Sequence, residues 1–321
     1  MTADIANAEM HRRFLTATVK LTGLSAESPI TRLGLAVSGG PDSMALLLLA
    51  HAVFPGKIAA ATVDHGLRAE AASEAEYVAR FCEERAIPHR TLRPENPITG
   101  NIQSAARKAR YGLLNQWARE CGCQWVATAH HADDQLETIL MRLVRGSGID
   151  GLSGIRPVNG NIIRPLLQFT KAELIALCRS EGVGTITDPS NDNADYDRVR
   201  MRQWLASAPH PLKSAAAANS AAALADAAAA IEWMTETVKK DRMTITGDAV
   251  QIDPTGLPRE MVRRLIVAAL AILSPDFKPR GPALSLIHES LLTGQKAAIG
   301  NMVCTGGKIW HFCHAPPRQN G

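Results

Sequence analysis

Over its first two-thirds the chain alternates short, unbroken apolar runs with longer stretches in which apolar residues recur every three or four positions. The runs LGLAV (33–37), KIAAATVDH (57–65) and QWVATA (124–129) are nearly continuous in their apolar character. Strands buried on both faces look like this, whereas half-exposed strands alternate. HRTLRP (89–94) reads as a further strand, set between helical stretches at 69–85 and 102–121. Helices are also expected over 44–54 and from about residue 131. This alternation predicts an α/β fold, a doubly wound and mainly parallel sheet with helices on both faces.

The pattern changes after Pro209-His210-Pro211. Twelve of the seventeen residues in 214–230 are alanine, a strong helix former. A strand-like TITGDAVQI (244–252) follows, then helical patterns at 258–273 and 282–292. The closing AAIGNMVCTGGKIWHFC predicts a hairpin turning at Thr305-Gly306-Gly307. Two domains are therefore expected, a catalytic one over 1–212 and a small accessory one over 213–321. The second is mildly basic, with twelve Lys/Arg against nine Asp/Glu.

Composition adds limits. The 321 residues are 46% hydrophobic and 21% charged, ordinary for a soluble globular protein. No apolar run is long enough to span a bilayer, and MTADIANAEMHRRFL lacks the apolar core of a secretory signal. A cytoplasmic protein with no membrane partner is expected. Six cysteines without a C-x-x-C suit a reducing compartment. Cys121-Gly122-Cys123 near His130 and His131 lacks further ligands at zinc spacing. A net charge of +4 is compatible with nucleic acid without demanding it.

Chemistry enters at Ser38-Gly39-Gly40-Pro41-Asp42-Ser43, between the first apolar strand and its helix. Free backbone N–H groups, a positive helix end and glycines that permit close approach make such a turn an anion cradle. A lone glycine would signify only a tight turn. Two glycines with two hydroxyls and a carboxylate favour phosphate binding. The spacing matches neither Walker A nor G-x-G-x-x-G. It resembles the pyrophosphate-binding loop of the N-type ATP pyrophosphatases, which implies ATP and Mg²⁺, with Asp42 as the metal-side carboxylate.

A second constellation, AHHADDQLET (129–138), follows the strand QWVATA, at the sheet edge where open α/β folds bind ligands. If helical from its start, it aligns His130, Asp134 and Glu137 on one face. Clustered carboxylates call for a cation: Mg²⁺, a substrate ammonium, or both. His130 is a candidate general base. Arg107 with Arg110, and Arg198 with Arg202, share helix faces and have a bland reading as solvated or structurally paired charges.

Together with VDHGLR (63–68), ARKARY (106–111), RGSG (145–148), RPLL (164–167) and DPSNDNADYDRVRMR (188–202), this motif resembles the tRNA(Ile)-lysidine synthetase family. The resemblance implies adenylation of the wobble cytidine of a CAU-anticodon tRNA(Ile), followed by attack of free L-lysine and release of AMP. It implies that Ser38, Gly39, Gly40, Pro41, Asp42 and Ser43 hold the ATP phosphates. Val63 and His65 would lie near the adenosine. His130, Asp134 and Glu137 would receive lysine, and Arg110 and Arg202 would face phosphate or tRNA. The small domain over 213–321 would contact the tRNA, and a homodimer is left open. Rival readings are a tRNA-thiolating or amide-forming relative, or a non-catalytic tRNA binder. A thiolating enzyme generally needs paired cysteines, and a pure binder has no use for the acid cluster.

Overall fold

The computed structural model describes residues 2–23, 32–66, 70–95, 102–186, 197–207, 209–277, 279 and 281–316. Arg68, Asp195 and the rest of 188–196 therefore lie outside the described residues. The chain forms two units, Met1–Leu224 and Ala225–Gly321.

In the first unit the elements run α1 (Thr2–Thr22), β1 (Arg32–Ala36), α2 (Pro41–Val53), β2 (Ile58–Val63), α3 (Glu70–Glu83), β3 (His89–Leu92), α4 (Ile102–Glu120), β4 (Cys123–Ala127) and α5 (Ala132–Val144). They continue through α6 (Ile149–Leu152), β5 (Val158–Asn159), β6 (Ile162–Ile163), α7 (Lys171–Ser180), α8 (Asp197–Ser207) and α9 (Ser214–Arg242), which crosses into the second unit. The sheet order is β3-β2-β1-β4-β6-β5. All pairings are parallel except that of β5 with β6. From β1 the chain runs outward through β2 to β3 and then returns to β4 on the other side of β1, so the topology switches between β1 and β4. Crevices at the carboxyl ends of such strands are where open α/β sheets bind ligands.

Apolar side chains cover both faces of this sheet, as the unbroken strand runs require. Leu33 and Leu35 of β1 join a core with Met44, Leu47, Val78 and Leu174 from α2, α3 and α7. On the other face Leu114, Trp117 and Ala118 of α4 cover Ala59 and Ala61 of β2. The approach is close at Gly34, where a Cβ would come within 2.9 Å of the Trp117 ring.

Three features were not anticipated from the pattern. Helix α1 buries Met10 and Phe14, the latter edge-on to Phe54 with ring centroids 6.4 Å apart. The edge pair β5–β6 is only two residues long in each strand. The division between units falls inside the alanine-rich helix rather than ahead of it, because Ala218 and Ala221 are buried within the first unit.

In the second unit, the segment read as one strand is a hairpin, β7 (Met243–Thr246) and β8 (Ala249–Ile252), turning at Gly247 with φ +58. Helices α10 (Arg259–Leu273) and α11 (Gly281–Leu292) follow. The end holds three strands rather than two, β9 (Lys296–Ile299), β10 (Met302–Thr305) and β11 (Trp310–His314). The extra turn falls at Gly300-Asn301. The sheet is antiparallel in the order β7-β8-β11-β10-β9, over a core that includes Leu265, Ile266, Trp310 and Phe312. Among the described residues, no helix is long and apolar enough to cross a membrane.

Candidate active site

The turn leaving β1 has the form its residues dictate. Gly39 takes φ +86, a conformation L side chains rarely adopt, and Gly40 caps α2 with Pro41 in the first turn. The Ser38 N–H donates to Ser43 Oγ at 3.1 Å, and Ser43 Oγ donates to the Gly40 carbonyl at 3.0 Å. With that proton committed, Ser38 Oγ is left as the donor in its 3.2 Å contact with Ser43 Oγ. Over the loop, the Ile186 N–H donates to the Gly39 carbonyl at 3.0 Å. The cradle is held from inside, and its positive helix end remains suited to anions.

Because β1 and β4 are adjacent, the second motif arrives beside this loop. Helix α5 begins at Ala132 with His131 as its cap, so His130 precedes the helix instead of sharing the face of Asp134 and Glu137. His131, which sequence reasoning passed over, is the link between the motifs. Its Nε2 lies 3.5 Å from Asp42 Oδ2 and 3.6 Å from Asp134 Oδ2, while Nδ1 lies 3.5 Å from Asp133 Oδ2. Burial alone would depress its pKa. Asp133, Asp42 and Asp134 together outweigh burial and raise it from 6.5 to about 10. His131 is thus an imidazolium among three carboxylates.

His130 is its opposite. Burial first, reinforced by the charges of Arg164, Arg198 and Arg110 and opposed by Asp134, takes its pKa from 6.5 down to about 3. Its Nδ1 lies 3.0 Å from Thr128 Oγ1. The imidazole is neutral.

The acid pair already has cations. Arg198 Nη2 donates to Asp134 Oδ1 and Arg198 Nε to Glu137 Oε2, both at 2.7 Å. Arg202 Nε donates to Glu137 Oε1 at 2.6 Å, and its Nη2 reaches Asp134 Oδ1 at 3.4 Å. Asp134 Oδ2 accepts the His131 backbone N–H at 3.0 Å. Burial would lower the pKa of Arg202, yet Glu137, Asp134 and Asp42 raise it. The i, i+4 spacing of the two arginines was the available signal for this pairing. Asp133 faces elsewhere, accepting from the Lys171 N–H and from Ser214 Oγ, each at 2.8 Å.

Val63 ends β2 and His65 follows it, at the same sheet edge. The loop is set by buried Asp64, which accepts from the Gly66 N–H and from Arg93 Nε, each at 2.9 Å. Burial, then Arg110, lowers the pKa of His65. Arg110 itself is pushed down, first by burial, and sits with Arg107 near the ring of Tyr111. Arg164, directly after β6, is buried. Tyr111 and Arg164 belong to the motifs ARKARY and RPLL, and the sequence assigns neither a role.

The Asp42 Oδ1 atom is buried without a protein partner, a fit for a Mg²⁺ ion that would share its coordination with substrate phosphates. Among the described residues, no group of three or more His, Cys, Asp or Glu side chains forms a metal site.

A glycine-rich anion loop at the switch point of a parallel sheet, with a carboxylate facing it, defines an ATP-utilising PP-loop protein. The PP-loop domain family matches residues 13–208. The tRNA(Ile)-lysidine synthase of Zymomonas mobilis subsp. mobilis is 42% identical over 302 residues, covering 91% of each chain. That of Rhodopseudomonas palustris is 46% identical over 276 residues, covering 80% of this chain and 79% of its own. The chain belongs to the tRNA(Ile)-lysidine synthase family. In fold it is similar to the U34-tRNA thiolase NcsA from Methanococcus maripaludis, with a TM-score of 0.56 at 18% identity, over 68% of this chain and 78% of that one.

Proposed function

We propose that the protein ligates free L-lysine to the wobble cytidine of CAU-anticodon tRNA(Ile), in the cytoplasm, at the expense of ATP. The observation that carries the reading is Asp42 and Asp134 converging on His131, which joins a phosphate loop to an amine-receiving acid pair. In the first half-reaction the cytidine carbonyl oxygen attacks the α-phosphorus and pyrophosphate leaves. In the second, the lysine ε-amine attacks the activated ring carbon, and the former carbonyl oxygen departs with AMP.

Ser38, Gly39, Gly40, Pro41 and Ser43 cradle the phosphates through backbone and hydroxyl donors. Asp42 would hold Mg²⁺, which would supply charge neutralisation on the phosphates. Arg110 and Arg202 face phosphate or tRNA, and Val63 and His65 border the adenosine. Asp134 and Glu137 keep unused lone pairs beyond their arginine bonds and receive the lysine ammonium. Neutral His130 orients the ε-amine and accepts its proton. A bound phosphate would offset Arg110 and Arg164 and bring His130 back towards its ordinary basicity.

The test is incubation of purified protein with ATP, labelled lysine and CAU-anticodon tRNA(Ile). Lysine incorporation with stoichiometric AMP is expected; no incorporation by folded, ATP-binding protein overturns the reading. Asp42→Ala should lower adenylation, followed as pyrophosphate release, by about 10²–10³-fold, the scale for losing a charge-stabilising group.

A further inference from the structure

The phosphate loop brings no cationic side chain of its own; its one charged residue is Asp42. Arginines gather a short way along the same sheet edge. Arg164 is 4% exposed, and its Nη1 donates to the Arg156 carbonyl at 2.6 Å. Its Nε is buried without a protein partner. Among the described residues, no carboxylate forms an ion pair with Arg164, Arg110 or Arg107. The Arg107 and Arg110 guanidiniums lie 5.0 and 5.4 Å from the Tyr111 ring centroid. Tyr111 Oη is likewise buried without a well-formed hydrogen bond, though Arg110 and Arg164 lie close to it.

Mutual influence shows that these groups share one neighbourhood. Burial would raise the Tyr111 pKa, but Arg107, Arg110 and Arg164 lower it. Arg110 and Arg164 each depress His130. Position agrees: Arg164 follows β6, His130 follows β4, and Arg110 lies in the first half of α4, which starts from that edge.

The buried Arg164 guanidinium is costly without a counter-charge, and the half-buried Arg110 near it adds to that cost, whereas Arg107 is exposed. A ligand anion removes that cost, and the planar fork of arginine suits two oxygens of one phosphate.

The geometry points to a second anion site formed by Arg164, Arg110 and the Tyr111 hydroxyl, separate from the glycine loop and built to take a phosphate group. It rests on the proposed function for its two sources, the α-phosphate of ATP or a phosphodiester of the RNA flanking the modified base. Arg164 and Tyr111 become phosphate-binding residues by this assignment.

The experiment compares Arg164→Met, Arg164→Lys and Tyr111→Phe with the unaltered protein. One arm titrates α,β-methylene-ATP with Mg²⁺; the other titrates a CAU anticodon stem–loop RNA at fixed salt, without nucleotide. Circular dichroism and melting monitor the fold. Arg164→Met should weaken one ligand about tenfold and Arg164→Lys less. Tyr111→Phe, which deletes one oxygen, should weaken the same ligand about threefold. Loss confined to the nucleotide arm assigns the α-phosphate, and loss confined to the RNA arm assigns the phosphodiester. Folded variants that bind both ligands as the unaltered protein does overturn the site. So does a Tyr111→Phe protein without effect when Arg164→Met is unfolded. Both arms are equilibrium measurements, so a protein that fails to incorporate lysine yet loses phosphate affinity on substitution refutes the reaction and keeps the site.

Discussion

Two charged clusters lie along one sheet edge and are balanced differently. In the first, buried Asp134 and Glu137 face Arg198 and Arg202 in a mesh of four bonds, so the chain supplies both signs. In the second, Arg107, Arg110 and Arg164 crowd Tyr111 without a carboxylate pairing with them among the described residues. The first balances its charges within the folded chain and keeps only spare carboxylate lone pairs. The second is finished only by an anion. A folded chain tolerates local excess of one charge where a substrate brings the other, because binding then recovers what folding left unmet.

The comparison can be broken most forcefully through Arg198. Arg198→Ala should cost about 2–3 kcal/mol in urea unfolding, below the usual figure for breaking a buried pair because Arg202 remains and the guanidinium is partly exposed. Stability unchanged within error would mean that the mesh is not a structural unit. Next, Glu137→Ala should leave adenylation close to normal while raising the lysine KM about tenfold, one contact to a charged group being worth ~1.5 kcal/mol or more. Equal losses in both half-reactions would move Glu137 to the phosphate side.

The two histidines sharpen the contrast through pH. His131 is raised from 6.5 to about 10, so its stabilisation is complete below its unfolded value and is lost as pH rises through about 10. His130 is lowered from 6.5 to about 3, so its neutral burial is favourable above 6.5 and stability falls as pH drops towards 3. The urea midpoint should therefore be highest near pH 6.5 and fall on either side, and His131→Gln should flatten the alkaline limb. An alkaline limb unaltered in His131→Gln would show that the imidazolium is not its source. Smallest of all, Arg164→Met should change ligand-free stability by less than about 1 kcal/mol, since relief of crowding offsets the lost hydrogen bond to Arg156. A large destabilisation would place Arg164 with Arg198 as a structural cation.

Much of this was legible in the chain because local rules govern it. Unbroken apolar runs announced strands buried on both faces, and Gly39 announced a turn with positive φ. The family motifs hold most of the residues that the fold gathers at the candidate site. Helix α1 was not legible, since Met10 and Phe14 are sparse apolar positions in a polar stretch and only the core they meet explains them. Nor was the true start of α5. A His-His pair does not say which imidazole caps the helix, and neighbouring carboxylates decide it. In the second unit, Gly247 and Gly300 each hid a turn within what read as a longer strand.

By itself, then, the sequence determined the alternating α/β pattern, the phosphate loop and the set of residues available for chemistry, because periodicity and turn preferences act over a few positions. Only tertiary structure decided the charge of each group. His130 and His131 are adjacent and chemically identical, yet burial and the fields of nearby arginines keep one neutral while three carboxylates around the other hold it charged. Burial and Coulomb fields depend on what the fold brings within a few ångströms, and that information is in no short stretch of the chain.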